Sequence, residues 1–335
     1  MRPTAAALAA ASILLIAACS GSASVTPTPA PAESTGTGMA AAPQCAPGTQ
    51  PSATAYAGWP TPGRAQATGD MIPLLVSSQV VAGPSRFLFS LIDSKNAILA
   101  AAGVPVTVSF YDLAADPATP LVTTDAIYLD PGNGRGLYRA PMDFRCWGDW
   151  GLAVTATLPS GTVTTKVQFA VQPSGTIPAI GAAAPQSDSP TAATLDEVKK
   201  ISTDDDPDPD FYKLSIAQAV TSGKPSAILF ATPQFCQTAT CGPTLDHLKA
   251  IAKDFKGTID FVNVEPYQLL LTEQGLQPKL DAEGHLQAVQ AAIDWGLVTE
   301  PYLFIVDKEG RVFASFEGVL GEDEVRAALT EVAKG

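Results

Sequence analysis

Along residues 71 to 171 the apolar side chains recur with a period of two, and no stretch there shows the 3.6-residue period of a helix. Val104 to Phe110 (VPVTVSF) and Val163 to Phe169 (VTTKVQF) alternate most plainly. The β-rich runs RFLFSLID, VPVTVSFYDL, PLVTTDAIYL, GLYRAPMDF, WGLAVTATL and TVTTKVQFAV are separated by turn residues, PGNG and PSG being the clearest. Successive side chains of a strand point to opposite faces, so each run offers one apolar face that a second sheet must cover. The pattern predicts an all-β antiparallel sandwich over residues 69–172. Trp147 and Trp150, beside Cys146, read as core and corner residues. The segment contains no histidine, which argues against a metal site within it.

The ends and joints of the chain have other compositions. After Arg2, Ala5 to Ala18 is apolar but too short for a permanent span, and it runs into Ile16-Ala17-Ala18-Cys19. Residues 1–18 therefore read as a signal peptide, and the site resembles the bacterial lipobox. That resemblance implies lipidation at Cys19 and a chain anchored to the membrane of the bacterial cell envelope, facing outside the cytoplasm. An ordinary secretory signal with an incidental cysteine is the alternative. Residues 19–68, rich in Ala, Pro, Thr, Ser and Gly, read as a disordered tether. Residues 173–212 read as a linker ending in STDDDPDPDF. The acids of that run suggest a calcium loop, but Pro209 stands where the loop glycine belongs and Ser215 where its glutamate does, so a solvated strap is expected. Of 33 acidic and 20 basic residues, 24 and 12 lie in residues 188–335. Such an acidic C-terminal half repels phosphate backbones and anionic headgroups, excluding nucleic acid and any membrane contact beyond the lipid.

With Cys19 assigned to lipid, Cys45, Cys146, Cys236 and Cys241 remain, an even number in a compartment that permits disulfides. Closeness in sequence favours Cys236 with Cys241, leaving Cys45 for Cys146 as a structural disulfide.

Residues 213–335 alternate between helical and strand patterns. SIAQAVTSG reads as a helix, SAILFAT as a buried strand, and Pro243 to Phe255 as an amphipathic helix. TIDFVNVE is a strand, LQAVQAAIDWGL a helix, YLFIVD and RVFASFEG a hairpin, and Glu322 to Ala333 a last helix. This order, with cysteines between a buried strand and the next helix, resembles the thioredoxin fold. Cys241-Gly242-Pro243 matches that family's Cys-Gly-Pro, TEPYLFIVDKEGRV its cis-proline stretch with Pro301 in that role, and Gly318 its glycine after the hairpin. The β-rich half is similar in the same sense to an immunoglobulin-type module. The expected chain is thus multidomain, an immunoglobulin-like sandwich followed by an α/β thioredoxin-like domain.

The residues at the pair agree with the resemblance. Pro243 suits the first helical position, so the helix should begin near Gly242. A cysteine there meets free backbone N–H groups and the positive end of the helix dipole, both favouring thiolate. This makes Cys241 the candidate for reactivity and Cys236 its resolving partner, though an alignment with Cys236 as nucleophile fits equally. The resemblance implies that Glu300, Phe235, Gly242 and Pro243 contact substrate, that no cofactor or metal is needed, and that the partners are protein thiols or disulfides. Three features depart from the family: four residues rather than two between the cysteines, Phe230 where it keeps a buried carboxylate, and Phe235 for its tryptophan. The alternatives are a non-catalytic binding module with a structural disulfide, a peroxiredoxin-like enzyme using Thr238 and Cys241 with Arg311 or Arg326, and a copper protein with His247 or His285 as third ligand.

Overall fold

The structure, a computed structural model, describes residues 45, 56–62, 64–65, 70–132 and 134–335. Residues 1–18, read above as a signal peptide, and Cys19 lie outside the described residues. In the β-rich half the strands are β1 (Ile72–Leu75), β2 (Gly83–Ile92), β3 (Val106–Asp112), β4 (Val122–Asp125), β5 (Ile127–Leu129), β6 (Leu137–Phe144), β7 (Gly148–Leu158) and β8 (Gly161–Val171). They form two antiparallel four-stranded sheets, β1-β2-β6-β5 and β4-β3-β7-β8. Period-two burial on β3 and on β8 aims Val106, Val108, Phe110, Val167 and Phe169 inward. Aromatic rings from both sheets meet between them, Phe87 with Phe110 at 5.3 Å and Phe144 with Trp150 at 5.0 Å. Each such buried side chain contributes about 1.5–3 kcal/mol, which holds the two layers together. Trp150 is wholly buried and Trp147 partly so.

Two segments differ from their reading as free chain. Cys45 is buried and bonded to Cys146, with Cα atoms 4.9 Å apart, and its N–H donates to the Trp147 carbonyl at 2.8 Å. Trp59 is buried, lies 4.8 Å from the Tyr111 ring and beneath Lys166, and donates its indole N–H to the Pro117 carbonyl. Tyr56 donates to Asp149. An indole buries enough apolar surface to offset the ordering of a polar segment, which composition alone does not reveal. Likewise residues 192–212 are not a solvated strap. They carry a capped short helix, α1 (Leu195–Val198), and put Ala192, Val198, Phe211 and Tyr212 into the C-terminal core. Asp204 is held by Lys249 Nζ at 2.8 Å, which also takes the Asp206 carbonyl.

The rest is a mixed α/β region: α2 (Ile216–Val220), β9 (Ser226–Phe230), α3 (Cys241–Ala252), β10 (Asp260–Val264), β11 (Leu269–Thr272), β12 (Gly275–Pro278), α4 (Gln290–Asp294), β13 (Tyr302–Val306), β14 (Val312–Glu317) and α5 (Glu322–Val332). The sheet order is β10-β9-β13-β14, parallel between β10 and β9 and antiparallel elsewhere. A strand buried on both faces needs apolar residues throughout, and SAILF and YLFIV supply them. Ala227, Leu229, Leu303 and Ile305 face a core shared with α3 and α5, whereas Ile228, Phe230, Phe304 and Val306 face α2 and α4. Between β10 and α4 lies the hairpin β11-β12, which the sequence patterns did not announce, and α4 is shorter than its apolar pattern predicts.

The described residues belong to one unit spanning Ala40–Gly335, and the two halves are joined through it. Arg86 on β2 bonds both carboxylate oxygens of Glu324 on α5, at 2.9 and 2.6 Å to Oε1 and 2.9 Å to Oε2, and gives Nη1 to the Glu317 carbonyl. Arg139 on β6 pairs with Asp323 at 2.6 Å. Beside these pairs Leu88, Leu129, Leu137 and Val319 form an apolar cluster. Among the described residues no helix is long and apolar enough to cross a membrane.

Below the sheet edge, the buried Glu265 accepts the N–H and hydroxyl of Thr203 at 2.6 and 2.7 Å. Its carboxyl is pushed up chiefly by burial, with the nearby Asp204 charge adding to it and the threonine hydrogen bonds opposing. A raised carboxyl in the folded state means stability that is full below the unfolded pKa and lost as pH rises through the folded one. Glu265→Gln keeps the acceptor without the charge. Thermal unfolding should therefore show it melting near wild type at pH 4 and higher than wild type at pH 8; a difference independent of pH contradicts this account.

Candidate active site

The site forms where β9 ends and α3 begins. Strand β9 lies in the middle of the sheet, so the chain leaving it emerges at a fixed place, and residues 231–240 then lead into the 12-residue helix α3. Cys241 is the first helical residue, and Pro243 the third, still within the turn whose N–H groups lack intrahelical partners. Thr240, at the N-cap, makes no side-chain cap. Cys236 takes that place: its Sγ accepts the Cys241 N–H at 3.2 Å. The two cysteines form a disulfide with Cα atoms 5.9 Å apart.

The four-residue spacer lets Cys236 fold back over the first turn, so the sulfur that meets the N–H and the dipole is Cys236 and not Cys241. Cys241 is wholly buried, packed in the core that contains Leu245, whereas Cys236 is half-buried. Thr238 Oγ1 lies 3.3 Å from Cys236 Sγ and donates to the Glu300 carbonyl at 3.0 Å. Ala239, between the cysteines, adopts φ of 61°, a left-handed conformation uncommon for a residue with a side chain. Phe235 is half-buried, and Gly242 and Pro243 sit in the first turn of α3.

Glu300 closes the site from β13's leading end, where the Glu300–Pro301 peptide is cis. The side chain is 5 % exposed. Its Oε1 accepts the Gln237 N–H at 2.9 Å and its Oε2 the Tyr267 hydroxyl at 2.7 Å. Burial first, and then the hydrogen bond to Glu300 and that residue's charge, push the Tyr267 phenol well above its ordinary value. A Glu300 carboxylate oxygen and the sulfurs of Cys236 and Cys241 all lie within 4.8 Å of one another. The sequence pointed to Glu300 only as a substrate contact implied by the resemblance and did not single out Tyr267. Its only signal is a lone tyrosine just past a buried strand.

Phe230 is buried against Trp295 and Phe304 in the core under α2 and α4, not in the core that contains Cys241. The third group beside the sulfurs is Glu300 and neither histidine: His247 is exposed on α3, and His285 is exposed and bonded to Asp281 at 3.2 Å. Arg311 is bonded to the Gly181 carbonyl, and Arg326 to Asp254 and Glu322.

Next to the pair lies a cleft of about 510 Å³ whose two sides come from the two halves of the chain. Leu74, Ile98, Arg135 and Leu137 line it from the β-rich half, and Thr238, Thr240, Glu300 and Val319 from the α/β region. Leu74 and Ile98 are 47 % and 40 % exposed, apolar surface left open beside a disulfide.

No protein-family model and no curated protein matches the chain. Among solved structures, an engineered protein is 18 % identical over 31 % of this chain at a TM-score of 0.23, and this chain spans 21 % of that protein's length. The PmoD soluble domain from a Methylocystis species is 15 % identical over 32 % of this chain and 95 % of its own, at a TM-score of 0.22. At these TM-scores the likenesses assign neither fold nor function.

Proposed function

We propose that this chain is a lipid-anchored, extracytoplasmic thiol-disulfide oxidoreductase, in which an immunoglobulin-like sandwich precedes a thioredoxin-like domain that acts on protein thiols through Cys236 and Cys241. The observation that carries the reading is the half-buried Cys236 sulfur facing the first N–H of α3 with a fully buried Cys241 bonded behind it. A sulfur held there departs or attacks readily as thiolate, because the helix N-terminus stabilises its negative charge. Exchange begins with a substrate thiolate at Cys236, the only one of the two sulfurs with an approach from solvent. The order of strands and helices in the α/β region, the pair at a strand-to-helix junction and Pro301 beside it support the fold assignment. The envelope location and the lipid anchor rest on Cys19 and the residues before it.

The test is insulin reduction in the presence of dithiothreitol, and oxidation of a reduced, unfolded substrate protein by the disulfide form. Turnover in either direction that disappears with Cys236→Ser supports the proposal. The rival is a scaffold whose Cys236–Cys241 bond only braces the loop, which the complete burial of Cys241 favours. Absence of turnover in the wild type across glutathione ratios decides for the scaffold.

A further inference from the structure

Transfer of the disulfide from this site to a substrate leaves a charge in an unfavourable place. When the Cys236–Cys241 bond opens at Cys236, the electron pair goes to Cys241 Sγ, which is wholly buried among apolar side chains. A thiolate there bears the full cost of desolvation unless a proton arrives with it. Phe230, at the position where the thioredoxin family keeps a carboxylate, offers none. Glu300 does: its carboxylate lies within 4.8 Å of both sulfurs and also lines the cleft through which a thiol would come. It is held in place at both oxygens, by the Gln237 N–H and the Tyr267 hydroxyl, so that its position does not depend on the substrate. The other charged groups on the cleft are Arg135 and Glu317, the latter accepting the Ser78 N–H.

We propose that Glu300 carries the proton from a thiol entering the cleft to the buried Sγ of Cys241. This deepens the exchange reading and rests on it. The entering thiol gives its proton to a Glu300 oxygen, and the resulting thiolate attacks Cys236 Sγ. A bond forms between substrate sulfur and Cys236, the Cys236–Cys241 bond breaks, and Cys241 Sγ takes the proton from Glu300, which returns to carboxylate. A second substrate thiol loses its proton to solvent and attacks the substrate sulfur of the mixed disulfide. Cys236 leaves as thiolate facing the Cys241 N–H. Two substrate thiols are oxidised to a disulfide, and the cysteine pair gains two electrons. The reverse sequence serves reduction: the Cys236 thiolate attacks the substrate disulfide and the first substrate thiolate leaves, then Glu300 takes the proton of Cys241, whose sulfur attacks Cys236, and passes it to the second departing substrate sulfur.

The experiment follows reduction of the Cys236–Cys241 bond in the full chain by dithiothreitol, with alkylation and peptide mapping to separate it from Cys45–Cys146, between pH 5.5 and pH 9. Free thiols near pKa 8.5 react in proportion to their ionised fraction. Wild type is expected to show a shallower dependence, because Glu300 supplies the ionisation. In Glu300→Gln the logarithm of the rate should rise with pH at a slope near one, and the rate at pH 6 should fall about a hundredfold, a typical loss for general acid-base assistance. Near pH 9 the two should lie within about tenfold. Glu300→Asp, which keeps a carboxylate, should recover part of the rate and the shallow slope. It also decides the matter should the Gln variant not fold. Wild-type reduction with an unchanged rate and slope in Glu300→Gln, or a slope of one in Glu300→Asp, overturns the proton role alone. A wild-type bond inert at every pH overturns the exchange reading with it.

Discussion

Cys241→Ser is expected to accumulate stable mixed disulfides with its substrates, while Cys236→Ser accumulates none. Cys236 carries the half-buried sulfur that faces the start of α3, and Cys241 lies buried behind it; in the proposed exchange the first makes the bond to substrate and the second releases substrate again. Without Cys241 the first bond forms and stays. Without Cys236 the remaining thiol has no approach from solvent. Turnover should be lost in both, so insulin reduction alone does not tell them apart. Non-reducing electrophoresis of cell envelopes, with each variant expressed in place of wild type, does so. Adducts on Cys236→Ser but not on Cys241→Ser would exchange the two roles and return the nucleophile to the helical cysteine.

Replacing both Cys45 and Cys146 by alanine should cost the fold more than any change at the other pair. The bond joins residues 101 apart, and the chain-entropy treatment gives about 4.7 kcal/mol for a loop of that size. The same treatment gives about 2 kcal/mol for the five-residue separation at Cys236 and Cys241. Removing the first bond also releases the segment that carries Tyr56 and Trp59 against the sandwich. Thermal unfolding of the two double-alanine variants compares these directly: the Cys45/Cys146 variant should melt roughly 10–20 °C below wild type at about 2–4 °C per kcal/mol. Equal shifts in the two would show that the long loop is already restrained in the unfolded chain.

What the sequence made legible follows from the range of the interactions involved. Period-two runs such as Val104–Phe110 report burial of alternate residues directly, and the two antiparallel sheets follow from them. The apolar runs SAILF and YLFIV announce strands buried on both faces. Closeness in sequence favoured the Cys236–Cys241 bond, whereas Cys45–Cys146 was only what remained among three possible connectivities, and the structure contains both. The direction of the sulfur-to-helix hydrogen bond was not, because it depends on how a four-residue loop folds back, and nothing periodic records that. Glu300 and Tyr267 meet across 33 residues of chain, and Leu74 and Ile98 stand across the cleft from Thr238 and Glu300 through tertiary packing alone. Trp59 was hidden by the polarity of its surroundings, and Phe211 and Tyr212 by the acidic run before them.

One consequence of the shared cleft concerns dissection of the protein. The sulfurs, the carboxylate and the tyrosine all belong to the C-terminal region, yet Leu74, Ile98, Arg135 and Leu137 come from the half before it, fixed there by Arg86 and Arg139 on Glu324 and Asp323. A fragment cut out to hold the cysteine pair would keep both sulfurs but lose one wall of the cleft beside them, and it would lay bare Val319, the greasy seam where the two parts had met.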